Sequence, residues 1–263
     1  MELLLILLVV SATSVLLILN LKFRKKKPAK LETLPAPFKK LLSTNVEFYI
    51  NLDLEDKKFF ESRVQQFLSR IRITGIRTII DDLDKVLIAA SAIIPIFKFP
   101  DWEYINLNEV LLYPDAFSET FELEGEGRNM LGVVGTGPYQ NIMILSRQEL
   151  RNGFFNKNST KNTAIHEFVH LIDKTDGEVD GIPEVILSRQ YILPWLQLVR
   201  KKIEQIKEGN ADINPYGATS QAEFFAVVSE YFFEKPDLLQ SRHPELFNML
   251  TTIFKHPAKN KKN

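Results

Sequence analysis

The hydrophobic pattern separates an apolar N-terminal run from a longer part with helical and strand periodicities. Residues 3–21 contain no charged side chain, and as a helix they would span roughly 28 Å, about the hydrocarbon thickness of a bilayer. The basic stretch KFRKKKPAK follows, whereas a secretory signal peptide carries its positive charges before the apolar run. The pattern predicts one uncleaved transmembrane helix over residues 1–21. Because basic residues stay on the cytoplasmic side, we expect a single-pass cell-membrane protein with its folded domain in the cytoplasm.

After this run, composition predicts a basic and proline-rich linker over residues 22–44, a folded domain over 45–256 and a polar tail over 257–263. Apolar residues spaced by three and four predict an amphipathic helix over 47–72. The stretch DKVLIAASAIIPIF is almost continuously apolar and predicts a buried helix that ends at Pro95.

The middle of the chain predicts strands and the rest predicts helices. Partial alternation in YINLNEVLLY indicates a strand over 104–113, and LGVVG and NIMILS indicate two more strands joined by the hairpin loop TGPYQ. Helices are expected over 146–153, 162–174, 184–207, 220–234 and 243–254. The predicted fold is one α+β domain, with a small sheet between an N-terminal and a C-terminal helical layer.

The composition limits the possible metal ligands and the expected partners of the chain. The chain has no cysteine, so histidine, aspartate and glutamate are its only strong metal ligands. Residues 1–30 hold six basic groups and one acid, which leaves 27 basic and 32 acidic groups in the remainder, a net charge of −5. A nucleic-acid-binding domain normally shows the opposite excess, so no nucleic-acid partner is expected.

The stretch NTAIHEFVHLIDKTDG, residues 162–177, holds two of the four histidines in the chain. Residues four apart lie on one helix face, so His166 and His170 can direct ring nitrogens at one metal ion. Glu167 is rotated by about 100° and is placed to act as general base on a water molecule. An ordinary buried helix would have to bury two imidazoles and a carboxylate without a partner, which is costly. The pattern predicts a metal site.

A catalytic site needs a third protein ligand. Asp173 lies too far along the helix axis from His166 to share the ion, and we expect it to accept a hydrogen bond from a ligand histidine instead. His243 and His256 lie in polar, proline-flanked surroundings and are expected to be surface or helix-end residues.

The remaining acids lie in SQAEFFAVVSEYFFE. Glu223 is set among apolar residues, and a carboxylate buried there needs a cation. Glu230 is seven residues further, on a similar helix face, and Glu234 lies near the helix end. Spacing alone leaves Glu223 and Glu230 as alternatives for the third ligand.

Several stretches together resemble the Mlc-titration-factor (MtfA) family of zinc peptidases. They are HEFVHLID, DGEVDGIP, YGATSQAEFFAVVSEYFFEKPDLL, DKVLIAASAIIP and VLLYPDAF, and the resemblance covers about residues 45–255. It implies a zincin-like fold similar to the protease domain of anthrax lethal factor.

Carried over by position, the resemblance assigns His166, His170 and Glu223 as zinc ligands, with one Zn²⁺ per chain. It assigns Glu167 as general base, and Tyr216, in NPYGATS, as the residue that stabilises the oxyanion or protonates the leaving amine. Asp173 matches the acid of the family's HExxHxxD motif. The apparent membrane anchor departs from the family's best-known member, which is described as soluble.

The leading hypothesis is a membrane-anchored zinc peptidase of the HExxH-plus-glutamate (gluzincin) type, acting on cytoplasmic peptides or proteins. One alternative is a metal-containing binding protein that sequesters a transcription regulator, a regulatory protein partner, with little or no hydrolysis. Another is a zinc hydrolase of non-peptide amides. The acids and glycines of the segment 174–183 suggest a mobile rim of the site.

Overall fold

The computed structural model describes residues 33–118, 123, 130–135 and 140–255. The predicted transmembrane helix, the polar tail and His256 lie outside the described residues. Among the residues that the structure describes, no helix is both long and apolar enough to span a bilayer.

Helices and one mixed sheet make up the described part of the chain. The helices are α1 Ala36–Asn45, α2 Glu47–Ile50, α3 Leu54–Arg70, α4 Asp82–Ile96, α5 Arg147–Phe155, α6 Thr163–Asp173, α7 Ile192–Lys207, α8 Gln221–Glu234, α9 Pro236–Arg242 and α10 Pro244–Lys255. The strands are β1 Arg72–Gly75, β2 Glu109–Tyr113, β3 Gly132–Val134 and β4 Ile142–Ser146. Short 3₁₀ turns cover Lys174–Asp176, Arg189–Tyr191 and Pro215–Ala218.

The N-terminal part of the fold begins earlier than the sequence predicts. Residues 36–45, expected in the linker, form α1, and Leu34 and Leu42 are buried in the core. Proline is well suited to the first turn of a helix, where its missing N–H costs nothing, so the proline-rich segment starts a helix.

The predicted helix over 47–72 is divided into two. Asp53 ends the irregular segment after α2 and caps α3, since its side chain accepts a hydrogen bond of 2.8 Å from the Asp56 N–H. Helix α4 is buried as predicted and ends at Ile96, one residue past Pro95.

The sheet has the order β1-β2-β4-β3. Strands β1, β2 and β4 are parallel, whereas β3 pairs with β4 in antiparallel fashion, as expected for the predicted hairpin. The predicted strand over 104–113 is shorter, since only its last five residues pair. Strand β1 was not predicted because its four residues, RITG, are too few to show alternation.

The α+β class is confirmed, but the expected order of layers is wrong. Helix α4, from the N-terminal half, packs directly on α6, from the C-terminal half, so the sheet does not separate them. Val110, Leu112 and Met143 point into the main core with these helices, while Tyr113 and Ile144 join Phe117 in a small cluster on the other sheet face. Helix α6 is therefore central: it contacts α4, α5, α8 and the β3–β4 hairpin.

Candidate metal centre

Helix α6 presents two histidines at the base of a cleft. The buried Asn162 caps its N-terminus, with its side-chain oxygen accepting a hydrogen bond of 3.1 Å from the Ile165 N–H. His166 and His170 lie one turn apart on the same face, and their Nε2 atoms are 3.0 Å apart. The four-residue spacing thus brings the two ring nitrogens together, as predicted.

Helix α8 supplies the carboxylate that faces this pair. Its N-cap Ser220 accepts a hydrogen bond of 3.1 Å from the Glu223 N–H, which fixes Glu223 in the first turn. Glu223 Oε2 lies 3.0 Å from His166 Nε2 and 3.5 Å from His170 Nε2. The structure therefore brings Glu223, and not Glu230, to the converging nitrogens.

These three side chains fit a metal ion. Ligand atoms about 2.0–2.1 Å from a tetrahedral zinc are about 3.3 Å from each other, close to the separations found here. His166, His170 and Glu223 are the group that the described residues offer as a possible metal site. The donor set, two nitrogens and one carboxylate oxygen, is that of catalytic zinc sites in which a fourth position stays open.

The electrostatics of the site also favour a cation. Burial lowers the pKa of His166, but hydrogen bonds to Glu223 and Glu230 outweigh burial and raise this pKa to about 10. Burial raises the pKa of Glu223, but hydrogen bonds from His166 and His170 lower it to about 2. The protein's own groups therefore favour a positive charge between these side chains, which a divalent ion would supply.

Glu230 holds the other nitrogen of His166. His166 Nδ1 lies 2.7 Å from Glu230 Oε1, and both groups are buried. The spacing of seven residues places Glu223 and Glu230 two turns apart on α8, one at each nitrogen of the same imidazole. This arrangement explains why the sequence could not separate the two acids, since both reach His166.

Glu167 projects toward β3. The carboxyl lies so close to Gly132 that a Cβ there would be 2.7 Å from Glu167 Oε1, so a side chain at this strand position would displace the Glu167 carboxyl. Burial raises the pKa of Glu167, and the nearby His166 and His170 oppose this shift. No sequence pattern indicates a role for Gly132, because the contact joins a strand to a helix more than 30 residues away.

Tyr216 stands at the mouth of the site. It lies in the 3₁₀ turn before α8, where Asn214 Oδ1 accepts a hydrogen bond of 3.1 Å from its backbone N–H. The Tyr216 ring centroid is 6.1 Å from that of His166, and the side chain is 53% exposed. Burial and the neighbouring Glu223 raise the pKa of the phenol, so it remains a proton donor.

Asp173 differs from the expectation. Its Oδ2 accepts a hydrogen bond of 2.9 Å from the Gly181 N–H rather than from a ligand histidine. Among the described residues, neither Asp173 Oδ1 nor His170 Nδ1 has a hydrogen-bond partner.

The predicted mobile rim is anchored at Gly181. The carbonyl of Gly181 accepts a hydrogen bond of 2.6 Å from Trp195 Nε1. Gly181 has a φ of 79°, and a Cβ there would be 2.3 Å from the backbone oxygen of Gln221. Asp173 thus fixes the end of the segment 174–183 rather than orienting a ligand.

His166, Glu167 and Tyr216 line one cleft of about 370 Å³. Strand β3 forms one wall, and the turn before α8 forms another. Its lining includes Leu131, Gly132, Glu167, Asn214, Tyr216 and Val227. Of the three possible ligands, His166 is the one that lines this cleft.

Comparison with known proteins found relatives of most of the chain. The family model described as glucose-regulated metallo-peptidase M90 matches residues 8–255. The uncharacterized protein slr2042 of Synechocystis sp. (strain ATCC 27184 / PCC 6803 / Kazusa) is 29% identical over 234 residues, 84% of each chain.

Two further relatives carry the name Mlc titration factor A. That of Pectobacterium atrosepticum is 27% identical over 216 residues, which are 76% of this chain and 79% of the relative. That of Serratia proteamaculans is 33% identical over 166 residues, which are 57% of this chain and 60% of the relative.

Proposed function

The chain belongs to the family of glucose-regulated metallo-peptidases M90, whose members similar to it include Mlc titration factor A, and on this premise we propose that it is a zinc-dependent peptidase. The convergence of His166, His170 and Glu223 beside Glu167 carries the proposal. The family implies a metal; the choice of zinc rests on the two-histidine, one-carboxylate donor set.

The chain's own residues supply the remaining chemistry. A zinc ion held by His166, His170 and Glu223 would supply the Lewis acidity that makes water a nucleophile near neutral pH and polarises a carbonyl. Glu167 accepts the proton of the attacking water and passes it to the leaving amine, a transfer that its raised pKa favours. The Tyr216 hydroxyl donates a hydrogen bond to the carbonyl oxygen as negative charge develops on it.

Strand β3 provides a means of binding the peptide. Within the described part of the sheet, β3 pairs only with β4 and forms the edge of the sheet. A peptide in extended conformation can add to such an edge through main-chain hydrogen bonds. The contact between Gly132 and Glu167 places that strand directly beside the proposed general base.

The decisive test is hydrolysis of a peptide library by the Glu167→Gln variant. The amide keeps the size of the side chain but cannot accept the proton, so we expect hydrolysis to be lost while the metal stays bound. Metal content and cleavage are measured on the same sample, with Glu204→Gln, an exposed acid on α7, as matched control. Undiminished cleavage by Glu167→Gln would contradict the mechanism.

Residues 1–21 are proposed to anchor the domain in the cell membrane, with the folded part on the cytoplasmic side. The uncharged run over 3–21 and the basic residues that follow it support this proposal. Partition of the full chain into the membrane fraction, and its loss when residues 1–21 are deleted, is the expected result. A soluble full-length chain would contradict the anchor without affecting the peptidase proposal.

A second candidate function is capture of a regulatory protein. The name of two relatives, Mlc titration factor A, indicates that they titrate a factor called Mlc. If the metal centre only stabilises a binding surface in this chain, wild type and Glu167→Gln would capture a partner equally and neither would cleave peptides. Retention of Glu167, buried against β3 at the metal centre, favours the peptidase.

A further inference from the structure

Three hydrogen bonds, two of them buried and one partly buried, link the start of α6 to the acidic face of α8. His166 Nδ1 lies 2.7 Å from Glu230 Oε1, the Asn162 N–H donates to Glu230 Oε2 at 2.6 Å, and Asn162 Nδ2 donates to Glu234 Oε1 at 2.8 Å. With Nε2 of His166 directed at the metal centre, Nδ1 carries the proton and donates to Glu230. Both Glu230 oxygens are thus used, one by the histidine and one by the backbone.

Asn162 is fully buried, and it takes part in three hydrogen bonds. Its side-chain oxygen caps α6 through the Ile165 N–H, its backbone N–H fixes Glu230, and its amide nitrogen fixes Glu234. The cap decides where α6 begins, and the two bonds to α8 decide how the helices lie against each other. Since His166 is on α6 and Glu223 is on α8, this alignment also sets the distance between two of the proposed ligands.

The end of α5 is shaped to accommodate this asparagine. A Cβ at Gly153 would lie 2.8 Å from Asn162 Cγ, closer than real side chains approach. Only glycine therefore lets α5 pack on the amide group. Glu234 itself does not line the catalytic cleft but lines a separate cavity of about 520 Å³. Glu234 is thus outside the cleft, and its hydrogen bond with Asn162 connects it to the metal centre.

We propose that Asn162 and Glu230 are positioning residues of the metal centre: Glu230 orients the His166 ring, and Asn162 holds Glu230 while tying α6 to α8. The proposal rests on the metal centre of the proposed function, but not on peptide hydrolysis. Partners of this kind typically change metal affinity 10- to 100-fold when they are removed.

The test is a pair of reciprocal substitutions. Asn162→Asp keeps a good N-cap, because aspartate and asparagine cap equally well, but it replaces the amide donor by an oxygen that faces Glu234. Glu234→Gln keeps an acceptor for Asn162. In the double variant, Gln at position 234 can donate to Asp at position 162, and the net charge equals that of wild type.

The measurement is zinc affinity of the metal-free protein, by competition with a chromophoric chelator, together with the absorption spectrum of the cobalt-substituted protein. We expect zinc affinity to fall about 10-fold in Asn162→Asp, to remain within about threefold of wild type in Glu234→Gln, and to recover in the double variant. A merely structural role would lower the melting temperature of the metal-free protein without changing either readout, and that result would overturn the proposal.

Glu230→Gln is the second variant, should Asn162→Asp not fold. It keeps the volume but removes the charge that His166 Nδ1 contacts, and a 10- to 100-fold loss of zinc affinity with an altered cobalt spectrum is expected. Wild-type affinity in Glu230→Gln would also overturn the proposal. If wild type binds no zinc, the proposed function fails. If wild type binds zinc and the variants bind it with the same affinity, this inference alone fails.

Discussion

Two clusters of histidine and acid lie on neighbouring faces of α8, one of them buried and the other partly exposed. In one, Glu223 and Glu230 meet His166. In the other, the side chain of Tyr231, rotated by about 100° from Glu230, donates a hydrogen bond of 2.8 Å to Asp212. Both clusters contain a histidine and a carboxylate, but the charge of the carboxylate is neutralised in different ways.

The Asp212 cluster is complete within the protein. Asp212 accepts hydrogen bonds from Tyr231, from the Arg242 guanidinium at 2.5 Å and from His243 Nε2 at 2.6 Å. Lys202 Nζ lies 3.3 Å from His243 Nδ1, so both nitrogens of that ring have partners. Burial raises the pKa of Asp212, but these donors outweigh it and lower the pKa to about 2.

The metal centre lacks such a cation. Among the described residues, no lysine or arginine forms an ion pair with Glu167, Glu223 or Glu230. Two imidazole nitrogens and a carboxylate oxygen converge instead. Both clusters place a histidine beside an acid, but among the described residues the candidate metal centre brings two ring nitrogens and a carboxylate oxygen together without a lysine or arginine partner, an arrangement that suits a metal ion.

Substitution of Glu223, the proposed third ligand, should have the largest effect, and it should act on metal affinity. We expect Glu223→Ala to lose more than about 100-fold in metal affinity, since loss of an outer partner alone costs about 10- to 100-fold. Metal should raise the melting temperature of wild type and should no longer do so in the variant. Asp212→Asn is the matched control and should bind metal as wild type does. Equal affinity in wild type and Glu223→Ala would exclude Glu223 as a ligand.

Disruption of the Asp212 cluster should have a smaller effect. It should lower the stability of the protein and leave metal affinity unchanged. Asp212→Asn removes the charge shared by His243 and Arg242 and should lower the free energy of unfolding by about 1.5 kcal/mol, the lower end of the range for hydrogen bonds to charged groups, because the Asp212 side chain is partly exposed. Urea denaturation of the metal-free protein measures this change. A parallel loss of metal affinity would show that the two clusters are not independent.

Glu234 shows a third way to neutralise a buried acid, by protonation, and its effect should be the smallest. Burial raises its pKa from 4.5 to about 7 against the opposing hydrogen bond from Asn162. Between these values the folded chain holds a proton that the unfolded chain has released, so stability falls as the pH rises through this window.

Glu234→Gln removes this dependence. Relative to wild type, the variant should gain about 1 kcal/mol of unfolding free energy between pH 5 and pH 8, with partial exposure limiting the gain. Urea denaturation at the two pH values measures it. A difference between the two proteins that is constant with pH would contradict the raised pKa.

Prediction from the sequence was most reliable where one element carried the information. The spacing of His166 and His170, and the antiparallel pairing of β3 with β4, depend on local geometry that the pattern shows directly. Prediction failed for residues whose neighbours are distant in the chain. His243, expected at the surface or at a helix end, does lie at the end of α9, but it is buried because Asp212 and Lys202 meet it from other elements.

The sequence alone determined an α+β chain with two histidines and a glutamate on one helix, because the helical repeat fixes which side chains share a face. Only the tertiary structure decided that Glu223 faces the converging nitrogens, that Glu230 holds the far side of His166 and that Asp173 fixes Gly181. The physical reason is that these distances depend on how α6, α8 and the segment 174–183 pack against each other. Spacing along one helix does not contain that packing.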